Sequence, residues 1–267
     1  MAELQDWTCE YNGLVMGEPD SAVSIVHVDG LLTLPDVRSS DLTLVQRHGL
    51  YAGDDYMNGR TVTLTLEVYG STRQEFTAAL NAVQAAFMPA ESEKPLRFRF
   101  PGVTADRTGF VMVRPRKRSA PLDLNFANMV CNVVVELYAT SPYMEADALT
   151  ALPSLASPWS GSNPKLRFVI DSNVSVRPVV TVSNVKNVVL TDEITGLYFG
   201  LLYAGTTVVI DSAAETVVTG TGVHIEDKIT SGSTWPEFKF GEHRLKLTSE
   251  AVTGPSTAVA TFRDRWV

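Results

Sequence analysis

The chain of 267 residues carries four histidines, His27, His48, His224 and His243, and two cysteines, Cys9 and Cys131. Imidazoles that bind a metal are commonly set on one face by HxH, HxxxH or HExxH spacing, and none of the four is so placed. The cysteines lie far apart without a CxxC partner, so they read as two reduced, buried thiols. No GxSxG elbow presents a serine, and no Walker-type glycine loop precedes a lysine. Asp54 and Asp55, in GDDYMNG, are neighbours that point to opposite faces of an extended chain, which suits a solvated turn better than shared acid-base work. Asp211 to Glu215, DSAAE, reads as a hairpin turn. No catalytic residue, metal ligand or cofactor site is assigned, and the expectation is a protein that is not an enzyme.

The charges are unevenly distributed. Residues 1–93 carry four basic and fourteen acidic side chains, a net of -10. Residues 94–118 carry eight basic and one acidic, a net of +7, and the remainder ten and fifteen, a net of -5, which together give the chain its -8. The basic block falls on strands. In LRFRFPG, Leu96, Phe98 and Phe100 face one way while Arg97 and Arg99 face the other. In the next strand Arg114, Arg116 and Arg118 share a face by the same alternation, and the short connection PGVTADRTG allows the two strands to pair and merge their arginines into one stripe. Three uses of that stripe remain open: a solvated face, a nucleic-acid contact, or a contact with the acidic surface of a second copy. Nucleic acid is the weakest of these, because no aromatic residues interleave on the arginine side of the strands and the chain as a whole is acidic. Surfaces of opposite sign on one chain are what a head-to-tail, ring-closing interface needs.

The elements that must position these residues are mostly strands. AVSIVHVDGLLTL is two apolar runs around Asp29-Gly30, a hairpin signal, and Asn58-Gly59 is a second turn signal. In RTVTLTLEVYG, Val62, Leu64, Leu66 and Val68 alternate with Thr61, Thr63, Thr65 and Glu67, as in a half-buried strand. One helix is predicted over about residues 72–88. Thr72 and Glu75 form a capping box, and Phe76, Leu80, Val83 and Phe87 make an apolar stripe that ends before Pro89. Residues 148–163, rich in Ala, Ser and Pro and including Trp159, read as a linker between a first domain, 1–147, and a second, 164–267. Beyond it, short strands with turns about every ten residues predict an antiparallel β-sandwich. No apolar run reaches the roughly 18 to 20 residues of a membrane span, and the start lacks the basic and apolar regions of a secretion signal, as expected of a chain made in the cytoplasm.

Taken in order, VDGLLTLPDVRSSDLTLVQRHGLYAGDDYMNGRTVTLTLEVYGS, the helix, LRFRFPG, VRPRKRSAPLD, VVVELYATSPYM, WPEFKFGEHRLKL and the closing ATFRDRWV resemble the distal tail proteins of long-tailed bacteriophages, especially the minor tail proteins of phages infecting actinobacteria. Residues 165–232 match only in pattern. The resemblance implies a mainly β fold: an N-terminal β-sandwich or split barrel with one α-helix, followed by a C-terminal galectin-like antiparallel β-sandwich. It implies a homo-hexameric ring at the tail tip of the virion, joining the tail tube to the baseplate or tip. The expected partners are other copies of the chain, the tail tube protein, the tape measure protein and a tail-tip or baseplate hub protein. No membrane and no sequence-specific nucleic acid is expected, DNA being free to pass through the ring. Arg97, Arg99, Arg114, Arg116 and Arg118 are the expected protein-interface residues.

A galectin-like domain also invites a second reading, a carbohydrate- or host-receptor-binding tail module using Trp235, Phe238, Phe240 and Trp266. Against it, alternation would set Phe238 and Phe240 on one side with Leu245 and Leu247 as core partners. A cell-wall hydrolase would need a catalytic constellation that the sequence lacks.

Overall fold

The structure, a computed structural model, describes residues 3–157, 165–251 and 254–267. It is mainly β and divides into two compact units, residues 1–147 with Val267, and residues 148–266.

In the first unit, the strands are β1 (Thr8–Tyr11), β2 (Leu14–Met16), β3 (Val23–Asp29), β4 (Val37–Ser39), β5 (Leu42–Thr43), β6 (Leu50–Tyr51), β7 (Asp55–Met57), β8 (Arg60–Tyr69), β9 (Lys94–Arg99), β10 (Gly109–Ser119), β11 (Val130–Ala139) and β12 (Met144–Ala146). The main order is β2-β1-β9-β10-β11-β8-β3, with every neighbouring pair antiparallel. Strand β10 serves two sheets. Its residues 109–113 pair with β9, and its residues 114–119 pair with β11, with a bulge between Pro115 and Lys117. Strands β4 with β7 and β5 with β6 form separate two-stranded ribbons.

Alternation in β8 holds as expected: Val62, Leu64, Leu66 and Val68 are fully buried, and Val133, Val135 and Leu137 of β11 meet them from the adjacent strand. The predicted helix is α1 (Arg73–Ala86), with both halves of the Thr72–Glu75 capping box formed. Phe76, Val83 and Phe87 are buried, while Leu80 is only half-buried and Ala79 and Ala86 share the inner face instead. Phe87 stacks on Tyr11 with ring centroids 5.1 Å apart, which ties the helix end to β1. A short second helix, α2 (Leu124–Ala127), was not expected; Asp123 caps it, and its Phe126 meets Phe76 edge to face.

The hairpin expected at Asp29-Gly30 does not form, because residues 31–36 contain no strand. The chain instead folds back over the start of β8, where Arg60 donates to the carbonyls of Gly30 and Leu31. Gly30 has φ +88° and a Cβ there would stand 1.9 Å from the carbonyl oxygen of Thr61, so only glycine allows the approach.

The second unit contains β13 (Thr150–Ala151), β14 (Leu155–Ser157), β15 (Leu166–Ile170), β16 (Val179–Asp192), β17 (Tyr198–Asp211), β18 (Thr216–Thr219), β19 (Gly241–Thr248) and β20 (Ser256–Phe262). The stretch read as a linker therefore includes two strands on β20, while Trp159 lies outside the described residues. Two pairs of predicted strands are continuous: RPVVTVSNV joins NVVLTDE as β16, and LYFGLLYAG joins TVVID as β17. Positive φ at Asn184 and Asn187 accompanies a bulge between Lys186 and Val188, and it bends β16 so that its first part pairs with β20 and its last with β19. DSAAE is the expected turn, with Asp211 accepting from the amides of Ala213 and Ala214. Residues 237–240 are not a regular strand: Phe238 is fully buried, but Phe240 is 74% exposed ahead of Gly241 at φ +114°.

A buried carboxylate–imidazole pair pins the interior of this unit. Asp192 closes β16 and accepts from His243 Nδ1 at 2.6 Å, from Thr195 Oγ1 at 2.8 Å, and from the amides of Arg244 and Ile194 at 3.0 Å. His243 Nε2 lies 2.7 Å from the carbonyl oxygen of Lys239, and its ring packs against both Phe168 and Phe238, which also touch each other. Burial alone would raise the pKa of Asp192, but these donors outweigh it and hold the carboxyl below its ordinary value.

Two outcomes are expected. Phe87→Ala should destabilise the first unit by about 3 to 5 kcal/mol, read as a fall in the thermal midpoint. The second unit should lose stability as pH falls from about 3.9, the ordinary Asp value, toward the depressed pKa of Asp192, because the unfolded chain takes up that proton first. Asp192→Asn should reduce that acid dependence in circular-dichroism melts and lower stability at pH 7 by about 1 to 3 kcal/mol, since one carboxylate oxygen that accepts buried hydrogen bonds becomes an amide donor.

Candidate protein interface

The five arginines do not form one stripe. In the β9–β10 register Arg97 stands opposite Phe110, and Val113 already stands opposite Lys94 at the start of β9. Arg114, Arg116 and Arg118 therefore lie past the end of β9, on the part of β10 that pairs with β11.

Arg97 and Arg99 are engaged inside the protomer. Arg97, 4% exposed, stands directly across from Glu10 in β1; its Nη1 donates to that carboxylate, and its Nη2 donates to Asp147 at 2.7 Å. Burial lowers the pKa of the guanidinium, yet the hydrogen bonds and charges of Asp147 and Glu10 more than reverse this and leave it raised. Arg99 donates through Nε to Asp6 at 2.8 Å and through Nη1 to Glu3, and these bonds raise its pKa. Acidic residues of the first segment thus meet the basic block within one chain.

The remaining arginines are separated by the β10 bulge. Arg114 faces Tyr138 and Pro115 faces Leu137, but beyond the bulge Lys117 faces Glu136 and Arg118 faces Val135. Because one extra residue reverses the alternation, Lys117 joins the outer face, where it pairs with Glu136 at 3.2 Å. Arg118 turns toward the helix and donates to the carbonyl of Gln84 at 2.6 Å. That carbonyl is in the last turn of α1, which has no basic residue of its own, so Arg118 supplies the cation favoured at a helix C-terminus. Arg114 and Arg116 stay at Tyr138. The guanidinium of Arg116 lies 5.4 Å over the Tyr138 ring, and the buried Nε of Arg114 has no acceptor. Among the described residues neither forms an ion pair with a carboxylate.

The residues considered for other chemistry stay apart. Burial pushes the Cys9 thiol up to about 12 and raises Cys131 as well, and both thiols are free. His224 pairs with Glu226 on the surface, His27 and His48 are exposed, and His243 is committed to Asp192. Among the described residues no group of three His, Cys, Asp or Glu could hold a metal, and no helix is long and apolar enough to cross a membrane. Trp235 packs on Phe199 at 5.3 Å, a core use.

One feature was not legible as a site. The segment 37–56, with the two ribbons, is almost wholly exposed and displays Leu42, Val45, Leu50 and Tyr51 to solvent. The ribbons are too short for alternation to announce them, but apolar residues at polar turn-rich positions were the available signal.

No protein-family model matches the sequence, and no curated protein matches it. Among solved structures the chain is similar to the Dit protein (gp 19.1) of phage SPP1, described as a paradigm of the hub adsorption apparatus in phages that infect Gram-positive bacteria. The TM-score is 0.67 at 14% identity, over 97% of this chain and 99% of that one. Lower similarity, with a TM-score of 0.44, is found to chains of the phage P2 baseplate in its activated conformation with Ca, at 8% identity over 92% and 91% of the two chains, and with Sr, at 10% identity over 91% of each. Both units, in order, thus make the fold of the SPP1 Dit protein, in agreement with the resemblance read from the sequence.

Glu10→Gln should cost the folded chain about 3 to 5 kcal/mol, because it strips the nearly buried Arg97 of one of its carboxylates, whereas loss of the exposed Asp6 carboxylate beside the half-buried Arg99, in Asp6→Asn, should change stability little. Denaturant midpoints of the two variants would separate these roles; equal losses would contradict them.

Proposed function

We propose that the chain is a structural virion protein of a phage tail, which assembles as a homo-hexameric ring at the distal end and adapts the tail tube to the baseplate or tip. The observation that carries this reading is the match in fold to a phage hub protein along the whole chain, both units included. Two surfaces support it. The exposed apolar ribbons at 37–56 are the kind of contiguous apolar patch that marks a protein contact. Arg114 and Arg116 leave positive charge without a carboxylate partner in a chain of net charge -8, which suits a contact with an acidic surface of the next copy or of an adjoining tail protein. Arg97, Arg99 and Arg118 act within the protomer and support the shape of that surface.

In this reading the partners are other copies, the tail tube, tape measure and hub proteins, the site of action is the virion tail tip, and the protein is not an enzyme. Residues 1–147 form the ring, and the second unit is a galectin-like sandwich carried outside it. The second reading, in which that sandwich binds a carbohydrate or host receptor, has in its favour the exposed ring of Phe240.

Reversing Arg114 and Arg116 together to Glu should abolish or strongly weaken oligomers in light-scattering chromatography while the protomer stays folded, with a cooperative thermal transition as in the parent. Raised salt should weaken parent oligomers in the same direction. Oligomers that form normally with both arginines reversed, at low and high salt alike, would remove these residues from the interface.

A further inference from the structure

Two Asn-Gly pairs occur in the chain, Asn12-Gly13 and Asn58-Gly59, and the fold treats them differently. Asn12 and Gly13 are the central residues of the turn between β1 and β2, where Tyr11 pairs with Leu14. Both have positive φ, 50° and 83°, as a type I′ hairpin turn requires. The side-chain amide of Asn12 is tied at both ends. Its Oδ1 accepts from Nζ of Lys94 at 2.7 Å, and its Nδ2 donates to the carbonyl of Ala86 at 3.4 Å.

Asn58 and Gly59 belong to no strand and join β7 to β8. Asn58 is exposed, its φ is not in the left-handed region, and its side-chain amide makes no hydrogen bond among the described residues. Only its main-chain N–H is engaged, with the carbonyl of Asp36 at 2.8 Å, while the N–H of Gly59 has no acceptor among the described residues. Position 59 must be glycine, because a Cβ there would stand 2.2 Å from the carbonyl oxygen of Ala139 and 2.7 Å from the Tyr138 hydroxyl. The packing thus excludes the side chain that would otherwise shield this nitrogen. Asn58 and Gly59 also line an open cleft of about 390 Å³, together with Asp36 and Tyr138. That space is far larger than the roughly 30 Å³ share of one water, so water reaches the pair.

We propose that Asn58 is a modification site, at which the main-chain nitrogen of Gly59 attacks Cγ of Asn58 and the side chain deamidates through a cyclic imide. The new N–Cγ bond forms as the Cγ–Nδ2 bond breaks, and Nδ2 leaves as ammonia, carrying the proton of the Gly59 amide. Water then opens the imide at either of its carbonyls, giving aspartate or isoaspartate. The balance is one water consumed and one ammonia released. Asn12 is protected, because its side chain must first leave Lys94 and Ala86 and its backbone must leave the turn before the ring can close. Either product places a carboxylate beside Asp36 in the lining of the cleft, and isoaspartate also lengthens the main chain by a methylene. The change falls where the exposed segment 37–56 rejoins the body of the unit at β8. The site stands whether or not a ring forms.

The test is peptide mapping by mass spectrometry of the full folded chain, held at mildly alkaline pH in heavy-oxygen water. Asn58 should convert to a mixture of aspartate and isoaspartate that carries the heavy oxygen. Asn12 should convert about tenfold more slowly, the factor expected when a charged hydrogen bond must break before the reaction. In concentrated urea both pairs are released and the two rates should converge, since each asparagine is followed by glycine. An Asn58 that stays intact, an Asn12 that converts as fast in the folded chain, a difference of the same size in urea, or a product free of isoaspartate would overturn the proposal.

Discussion

The bulge between Pro115 and Lys117 in β10 is the constraint from which the rest of the first unit follows. Up to Val113 the strand pairs with β9 and from Arg114 onward with β11, so one strand joins the two sheets, with the bulge just past the change of partner. The extra residue reverses which side chains face the core. It therefore decides that Lys117 meets Glu136 outside, that Arg118 reaches the last turn of α1, and that Arg114 and Arg116 remain at Tyr138. A regular strand would have set all three arginines on one face and left the helix end without its cation. The basic block is thus sorted by backbone geometry into charges that hold the protomer together and charges that remain available to a partner.

Much of this was legible in the sequence, and the failures have a common cause. Strand β8 and helix α1 were readable because each buries one face against one neighbour, and alternation or a 3.6-residue stripe records that directly. The capping box was readable because it is local. Bulges are not: Asn184 and Asn187 look like turn residues, and in β16 they bend a continuous strand, so two strands were read where there is one. The same blindness gave the arginine stripe a periodicity that the bulge removes. Leu31 to Leu34 looked like the return strand of a hairpin, but their conformation is set by hydrogen bonds from Arg60, a residue 30 positions from Gly30, which no local pattern reveals. Phe240 misled for a related reason, since Gly241 breaks the alternation that Phe238 begins.

The histidines and carboxylates tell a consistent story about chemistry. His243 and Asp192 have the partners of a catalytic dyad and none of the access: both are buried, and every nearby donor and acceptor is used to close β16 onto β19. Desolvation would make such a carboxylate harder to ionise, and hydrogen bonds from the Arg244 amide, the His243 ring, the Ile194 amide and the Thr195 hydroxyl are what keep it charged. The carboxylate and imidazole of this pair are spent on stability. In the first unit Arg60 Nη2 and Arg114 Nε are left without acceptors, as Arg244 Nε is in the second, and apolar residues are displayed on the ribbons. Apolar side chains displayed on short exposed ribbons distinguish the first unit, for which assembly is proposed.

That division of labour is the central claim, and the mass of the separated units in solution tests it most directly. Residues 1–147, purified as a fragment and weighed by native mass spectrometry under conditions where the full chain oligomerises, should give a hexamer, while a fragment of residues 148–267 should remain a monomer. Oligomers from the second fragment alone, with the first monomeric, would contradict the account.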